Sequence, residues 1–323
     1  MTRLTIALFS LASVLALTIG LAIVLGGPTP PPPLKSISDP FRSVDFSGLP
    51  AVQGYRARDG TLLSYRLYSP MNDVRDTSVV LIHGSSASSK SLHPLAQRLS
   101  RAGFHAFALD IRGHADLAPK GQIAYIGQLE DDIEDFLATV HLPGHKVLLG
   151  FSSGGGFALR LAASPRGNQF DGYVLLAPFL SQDASTNRPA SGGWASVGLP
   201  RILGLVALNG LGVTVFNHLP VIAFALPPEA RKVLTPEYSY SLAMNFRPNR
   251  DYHADIASVA RPMIVLVGEN DEQFLPERFA PEFSVAKPPI PITIVPKLGH
   301  IELTLSPDAA DYVVKAIEQL VGV

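Results

Sequence analysis

The stretch Leu148-Leu149-Gly150-Phe151-Ser152-Ser153-Gly154-Gly155-Gly156 constrains this chain more than any other. It reads as a buried strand, a sharp turn with a serine at its apex, and the start of a helix. Gly150 and Gly154 bracket Ser152 in the spacing G-x-S-x-G. Glycine is needed at both places because the turn is strained and because strand and helix pass close together. Such an elbow projects the serine hydroxyl into a cleft and points the N–H of Ser153 to where an oxyanion would form. With 27 glycines in the chain the spacing alone says little. The apolar strand before it and the small-residue helix after it say more.

Composition narrows the function classes. A chain of 323 residues can bury a large core in one domain or two. Lys+Arg of 26 against Asp+Glu of 27 leaves a net charge of -1 with no basic stripe, which argues against a nucleic-acid partner. Cysteine is absent, so disulfides, a thiolate nucleophile and cysteine-held metals are excluded. Leu4 to Leu25 carries no charge, and Arg3 is the one charge before it. That run is long enough to cross a hydrocarbon core of roughly 30 Å as a helix. Residues 1–25 are therefore expected to form a single-pass membrane anchor, and positive charge retained inside places the rest extracytoplasmic (periplasmic). A cleaved signal peptide and a secreted chain are the alternative, but the run ends in Val24-Leu25-Gly26-Gly27-Pro28, a poor cleavage site. Pro30 to Pro33 stiffen the next segment toward polyproline II, so residues 26–50 read as a Pro-rich linker holding a globular domain off the bilayer.

From Val52 onward strand and helix alternate. Val52 to Arg58 and Leu62 to Tyr68 flank Asp59-Gly60, a strong hairpin turn. Ser78 to Ile82, Phe104 to Leu109, Lys146 to Phe151 and Tyr173 to Ala177 read as strands buried in a parallel sheet. Leu92 to Ala102 and Leu129 to Val140 carry apolar residues at helical spacing between them. The alternation stops after Pro178 and resumes at Pro262 to Val267, Ile292 to Val295 and a closing helix over Pro307 to Val321. The expected fold is α/β: a mostly parallel central sheet flanked by helices, made of residues 51–178 and 261–323. Residues 179–260 are expected to form an inserted helical cap or lid, because prolines at 200, 220, 227 and 228 cut its apolar run into short helices.

Three candidate residues follow predicted strands in the order Ser152, Asp271, His300, each closely preceded by a glycine. A serine hydroxyl is a poor nucleophile near neutral pH and needs a base within reach. His300 suits the base, and Asp271 suits the group that fixes its tautomer and stabilises the imidazolium. With the elbow, this order of nucleophile, acid and base resembles the α/β-hydrolases, over about residues 50–321. The group most resembled includes monoacylglycerol lipases, lysophospholipases and the serine aminopeptidase (S33)-like enzymes. His83-Gly84-Ser85-Ser86 resembles the family's oxyanion turn, and Asp110-Ile111-Arg112-Gly113-His114 its D-x-R-G-x turn. The resemblance implies an oxyanion hole formed by the N–H groups of Ser85 and Ser153, with no cofactor and no metal.

Rivals exist for each role. Asp183 and Glu269 are alternative acids, and Asp251, His253 and Asp255 form a D-x-H-x-D triplet that reads as a solvated loop. His83, Asp110, Arg112 and His114 read as turn and loop holders, and Glu130-Asp131-Asp132 as a helix face. The His-Gly-Ser-Ser turn departs from the His-Gly-Gly-Gly of hormone-sensitive-lipase-like esterases, which argues against short, bulky esters. The elbow lacks the tryptophan that prolyl aminopeptidases of this fold carry after the serine, which argues against a peptidase. The expectation is a serine hydrolase of acyl esters, with lysophospholipid or monoacylglycerol as the implied substrate. The alternatives are a peptidase or amidase and a non-catalytic binding protein.

Overall fold

The computed structural model describes residues 3–71 and 73–322, with the side chains of residues 3–8, 190 and 191 outside the description. The expected hairpin forms between β1 (Val52–Arg56) and β2 (Leu62–Tyr68). Gly60 takes φ 84° at its turn, a conformation that costs glycine little. The remaining core strands are β3 (Thr77–Ile82), β4 (His105–Asp110), β5 (His145–Phe151) and β6 (Gly172–Leu176). After the short strands β7 (Ala195–Val197), β8 (Pro220–Phe224) and β9 (Glu237–Ser239), the core is completed by β10 (Met263–Gly268) and β11 (Ile292–Val295). Eight strands make one sheet in the order β1-β2-β4-β3-β5-β6-β10-β11. Its β1-β2 and β2-β4 pairs are antiparallel, and from β4 to β11 every pair is parallel. Every residue of β3, β6 and β10 is buried, as strands covered on both faces require.

The helices are α1 (Arg3–Leu25), α2 (Lys35–Ser38), α3 (His93–Arg101), α4 (Gln128–Thr139), α5 (Ser153–Ala162) and α6 (Leu199–Gly210), followed by α7 (Tyr240–Asn245), α8 (Tyr252–Ser258), α9 (Phe279–Phe283), α10 (Glu302–Leu305) and α11 (Pro307–Val321). α11 buries Ala309, Ala310, Val313, Ala316 and Ile317 against the core. The acidic face of α4 is tied down by arginines: Arg58 reaches Asp131, Glu134 and Asp135, Arg160 reaches Glu130, and Arg166 reaches Asp131 and Glu134.

At the elbow Ser152 sits at φ 54° and ψ −119°, outside the usual regions for a residue with a side chain. Its N–H donates to Leu176 O at 2.9 Å, and its carbonyl accepts from Gly156 N and Phe179 N, both at 3.0 Å. A Cβ on Gly150 would overlap the carbonyl oxygen of Gly154. This is the close approach of strand and helix that the glycine spacing requires.

Two expectations change. Residues 179–260 are not purely helical: β7, β8 and β9 form a three-stranded antiparallel sheet beside α6. Val221-Ile222-Ala223-Phe224 has β-branched and aromatic character, and the prolines that flank it suit a short strand as well as they break a helix. Nor do residues 26–50 stand off as a spacer. Leu34 N donates to Ala225 O at 3.1 Å, and Leu34, Ile37, Phe41 and Phe46 line the main cavity.

The N-terminal helix also differs from a free anchor. Among the described residues no helix is long and apolar enough to cross a membrane, and the start of the expected span lies outside the described side chains. The last turn of α1 is docked on α6. Arg201 on α6 donates from Nε to Ile23 O at 2.7 Å and from Nη2 to Val24 O at 3.1 Å. A cation thus satisfies carbonyls at the negative end of the α1 dipole. Ile23 is buried there, and a Cβ on Gly204 would come within 2.7 Å of its Cγ1. The rest of the helix leaves Phe9, Leu11, Val14, Leu15 and Leu17 exposed.

Candidate active site

Asp271 and His300 arrive on loops after β10 and β11, which run side by side. The two loops are stitched by backbone bonds: Glu269 N donates to Val295 O and Asn270 N to Leu298 O, both at 2.9 Å. Glu269, the rival acid, accepts from Lys297 N at 2.8 Å and serves as a brace. Glu272 accepts from His300 N at 2.8 Å and fixes the histidine's backbone. Asp271 is fully buried; its Oδ1 accepts from Gln273 N and Phe274 N, both at 2.8 Å. Its Oδ2 faces His300 Nδ1 at 2.8 Å, and His300 Nε2 faces Ser152 Oγ at 3.1 Å. A carboxylate already saturated with donors on one oxygen holds the imidazole proton on Nδ1. That leaves Nε2 to accept from the serine hydroxyl. The ring is flanked by Phe151 and Phe274, with centroids at 4.7 and 5.2 Å. Those faces stop it from turning away.

The amides of Ser85 and Ser153 donate to no group among the described residues. Ser153 opens α5, where the first N–H groups have no intrahelical partner. The Ser85 loop is held from the insertion. Trp194 Nε1 donates to Ser85 Oγ at 2.8 Å. Ser86 sits at φ 68°; its N–H donates to the Tyr238 hydroxyl and its Oγ donates to Thr235 O, both at 2.7 Å. Because Tyr238 accepts that bond, its O–H donates to His114 Nε2, 2.6 Å away. His114 Nδ1 then carries the ring proton toward Ile111 O and Arg112 O, each at 3.2 Å. Burial, reinforced by the neighbouring His83, holds His114 well below the usual histidine range. Burial also lowers His83 and raises the Tyr238 phenol. Trp194, Thr235 and Tyr238 carry no signal in the sequence, because no periodicity or motif marks a contact between an insertion and a turn more than a hundred residues upstream.

The other candidates have structural partners. His83 donates from Nδ1 to Gly84 O at 2.8 Å and accepts from Ile111 N at 3.3 Å. Asp110 accepts from Ser64 Oγ and Ser89 N, and Arg112 joins Asp132 to Asp59. Asp183 is occupied by Ser181. Asp251 caps α8, Asp255 accepts from Asn249, and His253 contacts Glu282 at 2.8 Å. Among the described residues no group of three or more His, Asp or Glu could hold a metal ion.

Ser152, Ser153 and His300 open on a cavity of about 390 Å³. Its wall is largely apolar, with Phe41, Phe46, Trp194, Ile222, Phe224 and Leu226 among its residues. Such a space suits a flexible hydrocarbon chain.

The sequence profile of the serine aminopeptidase S33 family matches residues 74–223. Monoacylglycerol lipase of Mycolicibacterium smegmatis is 31% identical over 125 residues, which is 37% of this chain and 43% of that enzyme. The matched stretch thus spans less than half of that relative. Among solved structures, a soluble variant of monoglyceride lipase from Saccharomyces cerevisiae is similar with a TM-score of 0.62 at 18% identity, covering 86% of this chain and 96% of that one. A bacterial membrane phospholipase A is similar over 99% of this chain and 100% of its own, with a TM-score of 0.56 and 17% identity. At these identities the structural likenesses show the fold alone.

The clamp on the Ser85 loop has two measurable consequences. Tyr238→Phe leaves the buried Ser86 N–H without an acceptor, which typically costs about 1–3 kcal/mol. Urea unfolding should show a loss of that size; an unaltered stability would show that the loop does not depend on this hydroxyl. The second consequence concerns pH. His83 and His114 titrate below their ordinary value in the folded chain and regain it, near 6.5, on unfolding. Below that pH the unfolded chain takes up protons that the folded chain refuses. Stability is therefore present above about pH 6.5 and falls on acidification, by about 1.4 kcal/mol per pH unit for each such group. Urea unfolding between about pH 5 and 7 should show the wild type losing more stability on acidification than His114→Gln, by up to about one proton; Asp132, pushed up to about 6 by burial, works in the opposite sense and equally in both chains.

Proposed function

Because the chain is an α/β-hydrolase of the monoacylglycerol lipase and serine aminopeptidase type, we propose that it is a serine hydrolase of long-chain carboxylic esters, acting on a lysophospholipid or monoacylglycerol through an acyl-enzyme. The observation that carries this reading is the unbroken line from Asp271 through His300 to Ser152, at 2.8 and 3.1 Å, ending in an apolar cavity. His300 Nε2 takes the proton of Ser152 Oγ as that oxygen attacks the ester carbonyl carbon. Asp271 steadies the imidazolium that results. The N–H groups of Ser85 and Ser153 receive the oxyanion; loss of one such donor typically costs about 3–4 kcal/mol of transition-state stabilisation. The tetrahedral species collapses, the C–O bond to the alcohol breaks, and His300 returns the proton to the leaving oxygen. Water then attacks the acyl-serine with His300 as base, and the fatty acid leaves.

The cavity also favours esters over aminopeptidase substrates. An aminopeptidase must receive a protonated α-amino group. Among the described residues the cavity wall carries no carboxylate, while Lys90 and Arg247 give it positive charge.

The apolar faces of α1 and α6 support a second element of the proposal, that this end of the protein meets lipid. Leu203 on α6 and Leu211 and Val215 after it are exposed, as are Leu11, Leu15 and Leu17 of α1, which packs on α6. We assign the catalytic domain to the extracytoplasmic side: Arg3 before an uncharged run is the pattern of a segment that directs export, which does not require a helix retained across a membrane.

Two measurements test these readings. Ser152→Ala should lose roughly 10⁴-fold or more in kcat on acyl esters and lose labelling by a fluorophosphonate, while wild-type activity rises with acyl length. Equal acid release by wild type and variant would remove the assignment. A phosphatase reporter joined after residue 40 should be active; a silent one would overturn the extracytoplasmic assignment.

A further inference from the structure

The cavity holds a charge that the ester-hydrolysis steps do not use. Arg247 lies on its wall, between α7 and Pro248. It is half-buried, and its Nε is sealed from solvent without a hydrogen-bond partner. Among the described residues the guanidinium makes no hydrogen bond and no ion pair. Arginines in comparable positions behave differently: Arg112, Arg160 and Arg166 each grip a carboxylate at 2.5–2.7 Å. Asp183 attracts Arg247 from beyond ion-pair distance but is engaged by Ser181. Tyr240 also attracts it; Arg160 and Arg250 repel it. Burial outweighs these fields and lowers its proton affinity below that of a free guanidinium. Yet arginine does not lose its proton in proteins, so the charge stays and is left unpaired.

A second donor on the same wall is also unpartnered. Gln273 is 5% exposed, and its Nε2 is buried with no hydrogen-bond partner among the described residues. Gln273 is two residues from Asp271, and its backbone N–H already serves that acid. The cavity wall therefore carries Ser152, a largely apolar lining, Lys90, and a guanidinium and an amide N–H₂ that find no acceptor among the described residues. Buried polar groups are ordinarily satisfied, and each exception calls for a partner such as a water, an ion or a ligand; of the orphan atoms here, those of Arg247 and Gln273 are the ones on the cavity wall. A neutral glyceride offers the guanidinium no countercharge; a phosphate or carboxylate fits its fork with two parallel bonds.

We propose that Arg247 is an anion subsite, and that the ester this protein hydrolyses belongs to an acidic amphiphile carrying a phosphate or a carboxylate. The proposal rests on the serine-hydrolase reading for its reaction, but the subsite is testable without turnover. Trp194, the single tryptophan, lines the same cavity and reports occupancy by its fluorescence.

The experiment titrates the full chain carrying Ser152→Ala with dodecyl phosphate, dodecanoate and dodecanol. The phosphate or the carboxylate should bind at least tenfold more tightly than the alcohol, and which of the two leads identifies the anion. Arg247→Gln should abolish that advantage while dodecanol binding stays, and Arg247→Lys should restore part of it. Removing a half-buried charge with no partner among the described residues should also raise the melting temperature of ligand-free Arg247→Gln, whereas a structural arginine would lower it. Turnover then extends the test: 1-acylglycerol 3-phosphate or an acylglycerol hemisuccinate should exceed the neutral 1-acylglycerol of equal chain in kcat/KM, chiefly through KM, and Arg247→Gln should level them. Equal binding of the three amphiphiles, or an advantage that survives Arg247→Gln, overturns the subsite. Selective binding in a chain that hydrolyses no ester overturns the hydrolase reading and leaves the subsite standing.

Discussion

The strained backbone of Ser152 is the constraint on which the rest depends. A residue with a side chain at φ 54° persists only where its surroundings leave it no alternative. Here they come from three directions: β6 accepts its N–H, while α5 and the chain leaving β6 both donate to its carbonyl. The glycines on either side contribute by absence, since a Cβ on Gly154 would overlap the carbonyl of His83. The turn therefore anchors β3, β5, β6 and α5 to one another at a single point. That point is also where the hydroxyl must sit for His300 to reach it. Foldability and reactivity are tied to the same few backbone atoms.

A second dependence runs between core and insertion. The loop of Ser85 and Ser86 leaves β3, but what holds it comes from Trp194, Thr235 and Tyr238. The chain Ser86 N–H to Tyr238 O–H to His114 gives each group the one partner it lacks, inside a site where an unmade bond would be costly. The insertion is thus more than a cover over the cavity. It sets the position of an amide that faces the reacting carbonyl in the proposed reaction, so movement of the insertion and placement of that amide are mechanically coupled.

The parts of this arrangement that sequence reasoning could reach are those with local signatures. Gly150 and Gly154 announce a close crossing, and a glycine before His300 announces a loop; both are read within a few residues. Core strands such as Thr77–Ile82 are legible because burial on both faces demands an uninterrupted apolar run. The insertion defeats the same logic. Proline at 220 suggests a broken helix, although Val221 to Phe224 becomes a strand that pairs on both sides. The linker misleads for a related reason. Its prolines speak for stiffness, but Phe41 and Phe46 lie beyond them and seek the nearest apolar wall. Arg247 could not be singled out at all, because one unpaired arginine among 26 basic residues is a fact of three-dimensional placement.

The residues without a local signature share a location. Phe41 and Phe46 from the N-terminal side, Trp194 and Ile222 from the insertion, and Gln273 beside the acid all meet around the cavity, so its shape is written largely by segments outside the elbow and its neighbouring strands. The core brings Ser152, His300 and Asp271 together at fixed distances, and in the proposed reaction those alone do not distinguish one ester from another. Discrimination requires either a close-fitting wall or an unpaired polar group that the wrong substrate leaves unsatisfied, and the second is the stronger device. The wall here is broad and apolar and tolerates many chains. The guanidinium is single and fixed in position. Under the proposed anion subsite, selectivity between head groups turns on what stands opposite that charge, while the apolar wall answers to the length of the chain.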